Sequence, residues 1–569
     1  MTASATLQAS KKKRDERERA VKEMEDKLGV LADHPEDADY THTRPLDIVA
    51  NLKSRKAGWT VERIMIAFIR TACDAHRKTN CLTEVMFHEA LEAAKLKDKE
   101  LDVSPDNIQG DFWGLPSSFK DTYNIIGVDT SLGLSQFCDQ PTAETNDEAG
   151  LVKVFRKAGG IPFCKTNVPQ TLFATECSNP IFGTSTNPHD SLRTPGGSSG
   201  GEAALVALHG TPIGWGSDVG GSLRVPSHNV GICALKPVRG RWPHSGGRPT
   251  VPGSDGVKVV EGPMARTVDD LIFASRTVLS LIPKMEGSFK GESLIPLPWR
   301  ETEQPKRLKI GYFTGFPGLK TSPACSRAVR DTVEKLQAAG HEAVSFEPPR
   351  LLDAFKSFAS MTSSDGYGTL LGNLGPDPME PSLRLVTLGS KMPWLVHQLA
   401  VQILRWVVRD TLFADIFAVS RPKSVKELWA ATALRDECNA EFCRAAWDHE
   451  AFDAVICPVL SVPAMEHGRT TLLSPVAIGT IVFNIIDSTV GVLPVARVDR
   501  ELDSTPPDFL KGSVGSWILE RRMYEGTNPA YNADKMHGLP IGVQVVAKPW
   551  QEEKVLKIMK VVEEAVKFK

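Results

Sequence analysis

Apolar residues return at helical spacing over residues 61–75 and 84–96, which predicts two amphipathic helices. Residues 307–347 change period twice. R-L-K-I-G-Y-F reads as a strand, P-A-C-S-R-A-V-R-D-T-V-E-K-L-Q-A-A-G as a helix, and H-E-A-V-S-F-E as a second strand. Short apolar runs at 452–459 and 539–547 predict further buried strands. Strands alternating with helices point to an α/β architecture around a central mixed, twisted β-sheet flanked by helices. The Pro-rich stretch near 282–306 reads as a connection, and no repeat or break in composition calls for a second large domain.

The first 30 residues have a different pattern. K-K-K-R-D-E-R-E-R-A-V-K-E-M-E-D-K-L alternates acid and base at helical spacings up to Gly29, which predicts a charged helix laid on the surface. The expected organisation is a helical arm over 1–45 followed by one large domain over 46–569. Residues 476–495 are the longest apolar stretch, but Asn484 and Asp487 interrupt it, so it reads as buried core. Residues 393–410 are unusual: Gln398, Gln402, Arg405 and Arg409 make one narrow polar stripe on an otherwise apolar helix rich in Trp and Leu. Such a helix is either mostly buried or lies in a membrane interface, and periodicity alone favours burial.

Composition narrows the class. With 41% hydrophobic and 24% charged residues the chain is globular, and a net charge of -2 gives no reason to expect a nucleic-acid partner. Ten cysteines without a C-x-x-C pair fit neither a secreted disulfide scaffold nor a zinc module, and the charged N-terminus lacks the apolar core of a signal peptide. The expectation is an intracellular protein that is not secreted and carries no metal.

The candidate chemistry lies in residues 195–227, P-G-G-S-S-G-G-E through G-S-D-V-G-G-S-L-R-V-P-S. A phosphate-binding loop would need a lysine after its glycines, and none follows. G-G-S-S-G matches the G-x-S-x-G elbow, but loop residues precede it where a buried strand is required. The remaining reading makes Ser222 a nucleophile, with backbone N–H groups of Val219, Gly220, Gly221 and Ser222 arranged as an oxyanion hole. No histidine stands in a comparable setting. Lys120 does: it ends the apolar-flanked run G-L-P-S-S-F-K, where partial desolvation would free its amine to act as a base, with Ser198 relaying the proton.

Three blocks, G-L-P-S-S-F-K-D, P-G-G-S-S-G-G-E and G-S-D-V-G-G-S-L-R-V-P-S, resemble the amidase signature family in both residues and spacing. The resemblance implies a Ser–cis-Ser–Lys triad with Ser222 as nucleophile, Ser198 as bridging serine and Lys120 as base. It also implies bracing of the loop by Asp218 and Arg224, acyl transfer from an amide to water, and no cofactor. K-T-N-V-P-Q-T-L-F-A-T-E-C-S-N-P-I-F-G and G-L-P-I-G-V-Q-V-V-A-K-P-W-Q-E-E-K-V-L resemble the fatty acid amide hydrolase branch. That branch implies Leu172 and Phe173 in the substrate channel and a lipid amide as substrate. It further implies a membrane-binding cap at about 382–420, contact through 393–417 with the cytosolic face of a membrane, and a homodimer. Two departures stand out. No segment matches the N-terminal spanning helix of animal members, and Thr175 occupies a position where an aromatic residue is common. A small-amide, acetamidase-type enzyme is the runner-up, ahead of a non-catalytic or amidotransferase subunit.

Overall fold

The computed structural model describes residues 3–104, 108–285, 287–304, 306–513 and 515–568, with side chains from residue 6 onward. Its centre is an eleven-stranded sheet. In chain order the strands are β1 (Leu82–Val85), β2 (Pro116–Lys120), β3 (Ile161–Thr166), β4 (Gly214–Asp218), β5 (Cys233–Lys236) and β6 (Val260–Ala265). They continue with β7 (Lys309–Tyr312), β8 (Glu342–Ser345), β9 (Ala454–Pro458), β10 (Thr489–Arg497) and β11 (Pro540–Ala547). The order across the sheet is β1-β3-β2-β4-β6-β5-β10-β11-β9-β7-β8. β2 lies parallel between β3 and β4, and β7 lies parallel between β8 and β9; the other neighbours are antiparallel. The mixed α/β sheet expected from the alternation of periods is therefore the observed one.

The helices that cover or position the site are α1 (Ala3–Leu28), α2 (Val61–Thr79), α3 (Phe87–Val103), α4 (Gly200–Ala207), α5 (Arg224–Val230) and α6 (Pro323–Ala338). After them come α7 (Leu351–Thr362), α8 (Trp394–Gln402), α9 (Thr411–Val419), α10 (Val425–Cys443), α11 (Ile478–Ile485) and α12 (Glu552–Val566). Thr60 caps α2, its side chain accepting from the Arg63 N–H at 3.0 Å, and Asn80 in the left-handed region ends it. The second expected helix begins three residues late, at Phe87, because residues 82–85 pair with β3. β7, α6 and β8 follow the strand–helix–strand pattern of 307–347, and residues 478–485 and 489–497 form the buried helix and strand read as core.

The charged helix α1 is docked, not solvated all round. Val21 and Met24 are buried against the apolar cluster that also holds α2 and α3. The Lys13 ammonium lies 3.0 Å from both Glu84 and Asp129, and Arg17 donates to the Leu82 carbonyl at 2.9 Å. Among the described residues no helix is long and apolar enough to cross a membrane.

Candidate active site

Two adjacent parallel strands bring the chemistry together. β2 ends on Lys120 and β4 ends on Asp218, with Phe119 opposite Trp215 in the register. Lys120 is therefore buried beside Ser217, and its Nζ donates to Ser217 Oγ at 2.9 Å and to Ser198 Oγ at 2.7 Å. Burial pushes the Lys120 pKa down to about 8; the nearby charges of Glu261 and Asp218 oppose the shift without cancelling it.

Ser198 sits just before α4, and the Gly197–Ser198 peptide bond is cis. A Cβ at Gly197 would lie 2.4 Å from the Ala174 carbonyl oxygen, so only glycine fits there. Ser222 occupies the short loop between β4 and α5, is 8% exposed, and lines a cleft of about 150 Å³. Its carbonyl accepts from the Ser199 N–H at 3.2 Å, which ties the two serine-bearing loops together. Ser222 thus lines the cleft, while Ser198 and Lys120 are buried and bonded to each other.

A buried polar cluster shapes the Ser222 loop. Asp218 accepts the N–H groups of Gly221 at 2.8 Å and Leu223 at 3.1 Å. Arg224 binds the same carboxylate with two nitrogens and also donates to the Thr480 carbonyl, Gln544 and Asn484. Burial works against the Asp218 charge, yet the Arg224 guanidinium and Asn484 hold its pKa below the usual carboxylate range. Thr480 donates to the Gly220 carbonyl at 2.7 Å. Gly221 has φ +125°, and a Cβ there would meet Thr480 Oγ1 at 2.1 Å. Of the four N–H groups expected to face a substrate oxygen, that of Gly221 is engaged by Asp218. Val219, Gly220 and Ser222 line the cleft.

No histidine shares this cluster. His228, on α5, is buried; its Nε2 lies 3.2 Å from the Val462 carbonyl and its Nδ1 accepts from the Gly542 N–H at 3.0 Å. Desolvation lowers its pKa to about 4. Among the described residues no group of three or more His, Cys, Asp or Glu side chains is placed to hold a metal ion.

Beyond Ser222 the cleft is apolar. Leu172 and Phe173 line it, presented by a turn in which Thr171 and Leu172 both have positive φ. Phe173 stacks on Phe358 of α7 at 6.3 Å between ring centroids, and Phe413, Ile416 and Phe417 of α9 add to the wall. Thr175 lines the cleft as well, its hydroxyl buried. Periodicity alone favours burial of the apolar side of 393–410, and the structure places that side outward instead. Trp394, Leu395 and Trp406 are 65%, 73% and 72% exposed. The reason is that α8 packs on α9 and not on the sheet, and only His397 and Val401 of α8 face inward. The His397 ring lies against Phe417, which lines the cleft. Thus the exposed apolar surface and the cleft share one pair of helices.

Sequence reasoning did not find Ser217, Thr480, Asn484 or Gln544, although all four contact the cluster. Ser217 was within the motif, where its proximity to Lys120 depends on a strand pairing. The other three lie more than 250 residues downstream on α11 and β11, and carry no local signal.

The family model for Amidase matches residues 63–556. Fatty acid amide hydrolase 1 of Caenorhabditis elegans is 33% identical over 503 residues, 88% of this chain and 84% of that one. Fatty-acid amide hydrolase 1 of Sus scrofa is 33% identical over 519 residues, 90% of this chain and 84% of that one. A solved structure of fatty acid amide hydrolase superposes with a TM-score of 0.82, covering all of this chain and 95% of that chain at 22% identity, which establishes the shared fold.

Proposed function

The chain belongs to the amidase signature family and is an amide hydrolase, and on that premise we propose that it cleaves fatty acid amides and N-acylethanolamines to a free fatty acid and an amine or ammonia. The observation that carries this reading is the placement of Ser222 in the lining of an apolar cleft, with the buried Lys120 bonded to Ser198 on the loop that the Ser199 N–H ties to the Ser222 carbonyl.

In this reading neutral Lys120 takes the Ser198 proton while Ser198 takes the proton of Ser222, whose oxygen attacks the carbonyl carbon. The resulting oxyanion is held by the N–H groups of Val219, Gly220 and Ser222. As the C–N bond breaks, the proton returns from Lys120 through Ser198 to the leaving nitrogen. Water then adds to the acyl-enzyme by the same relay in reverse, releasing the acid and restoring Ser222. The 2.7 Å bond between Lys120 and Ser198 supports the relay, and the lowered proton affinity of Lys120 supplies a neutral amine near physiological pH.

The aromatic walls contributed by Phe173, Phe358 and Phe413 suit an acyl chain, with Leu172 and Phe173 as the channel residues nearest the sequence signature. The exposed face of α8 suits peripheral contact with a membrane from its cytosolic side, so that a lipid amide enters the cleft without crossing water. Pairing of two chains as a homodimer through the same cap belongs to this reading.

The test compares hydrolysis of a long-chain primary fatty acid amide with that of acetamide, with phospholipid vesicles present. Preference for the long chain supports the reading; preference for acetamide replaces it with a small-amide amidase acting through the same serines.

A further inference from the structure

β4 and β6 are antiparallel neighbours, with Ser217 directly opposite Glu261. Opposed residues in such a pair project to the same face of the sheet. Ser217 Oγ is the second acceptor of the Lys120 ammonium, so Glu261 stands behind the hydroxyl that orients the lysine. Glu261 is buried and held from two other sides. Its Oε2 lies 2.5 Å from the Tyr123 hydroxyl, which in turn lies 2.6 Å from the Gly216 carbonyl, and its Oε1 lies 2.8 Å from His244 Nδ1. Tyr123 follows Lys120 by three residues and packs edge-on against Phe119. The His244 side chain is 40% exposed, while the Glu292 carboxylate fixes its backbone N–H and that of Ser245.

Among the described residues, the titratable groups that bear most on Lys120 are Glu261 from β6, Asp218 from β4, Glu202 from α4 and Cys177 from the segment ahead of it. They are not equivalent. The Asp218 charge is answered by Arg224 in a buried two-point contact. The Glu202 carboxylate accepts the hydroxyls of Ser118 and Thr166. Among the described residues the Glu261 carboxylate is bound by Tyr123 and His244, with Arg239 and Glu292 as the charged groups next to that histidine. Its partner is thus a titratable histidine, and no Lys or Arg side chain among the described residues is bonded to it. Glu261 is also the foremost charge opposing the effect of burial on Lys120.

We propose that Glu261 is a positioning residue for the base, its charge fixed behind Ser217 by Tyr123 and His244 so as to set how tightly Lys120 holds its proton. The inference rests on the reading of Lys120 as base. Its consequence is that the pH range of hydrolysis is set at a side chain that touches neither substrate nor nucleophile.

The experiment is the pH dependence of kcat/KM for wild type, Glu261→Gln, Glu261→Ser and Lys120→Ala, each checked for folding by circular dichroism. Gln keeps the shape and the bond to Tyr123 without the charge. Ser is small enough to leave Tyr123 its bond to Gly216 should Gln not be accommodated. With the charge removed, the acid limb is expected to move down by ~1 pH unit, the lower end of what one nearby charge does. The alkaline plateau is expected to fall, because a less basic amine is a weaker proton acceptor. Glu261→Asp, which keeps the charge, is expected to retain the wild-type limb. If the neutral variants change only the height of the profile and leave its acid limb in place, the inference is overturned and Glu261 is a packing residue. Activity surviving in Lys120→Ala would overturn the earlier reading instead. The two failures are therefore distinguishable.

Discussion

Arg224 grips Asp218 at two points, Nε to Oδ2 at 3.0 Å and Nη2 to Oδ1 at 2.9 Å, with both side chains fully buried. The same carboxylate holds the N–H groups of Gly221 and Leu223, which flank Ser222. The pair is thus the frame on which the Ser222 loop is hung. Breaking a buried pair leaves one charge unanswered and costs ~3–5 kcal/mol. Arg224→Ala is therefore expected to lower stability by about that much in chemical unfolding. Arg224→Lys is also expected to lose stability, because an ammonium cannot span the carboxylate, Thr480, Gln544 and Asn484 together.

The lysine gives a pH dependence whose sign is fixed. Burial lowers the Lys120 pKa to about 8, and in the proposed relay it must be neutral to accept a proton. Activity is therefore expected to rise with pH through about 8 and level off above it, read as kcat/KM between pH 6 and 10. Lys120→Arg keeps the charge but cannot lose its proton, and is expected to cost roughly 10³–10⁴-fold in kcat.

Gly221 tests the loop geometry without removing a polar group. Alanine there would place its Cβ 2.1 Å from Thr480 Oγ1, on a backbone with φ +125° that side chains rarely adopt. A displacement of about 1 Å at a nucleophile costs roughly 10²-fold. Gly221→Ala is expected to lower kcat by that factor, with little change in KM.

The apolar cleft and the exposed helix separate in their effects. Phe173→Ala removes a ring stacked on Phe358 and is expected to raise KM for a long-chain amide by roughly 10-fold, leaving acetamide hydrolysis unchanged. Replacing Trp394 and Trp406 by Ser is expected to abolish sedimentation with phospholipid vesicles, while hydrolysis of a soluble short-chain amide continues.

The candidate site was legible as a set of residues because they sit in short motifs. Lys120, Ser198 and Ser222 each end or follow a run whose glycines and serines have few other uses, and Asp218 and Arg224 lie in the same stretch as Ser222. The strand–helix–strand unit at β7, α6 and β8 was legible from its change of period. What could not be read is whatever depends on register between distant strands. Ser217 meets Lys120 because β2 and β4 are neighbours, and Glu261 faces Ser217 because β4 and β6 are paired. Asn484 reaches Asp218 across 266 positions of chain. The outward face of α8 was likewise beyond periodicity, since an apolar stripe looks the same whether a sheet or only a neighbouring helix lies beneath it. The start of α3 was displaced because residues 82–85 were claimed by a strand partner in β3.

The most direct measurement is the site of covalent modification by a fluorophosphonate, found by peptide mass spectrometry on wild type and on Ser222→Ala, together with the activity of both. The account predicts one adduct on Ser222 in the wild type, with no adduct and no hydrolysis in the variant. An adduct on another residue, or hydrolysis surviving in Ser222→Ala, would contradict it.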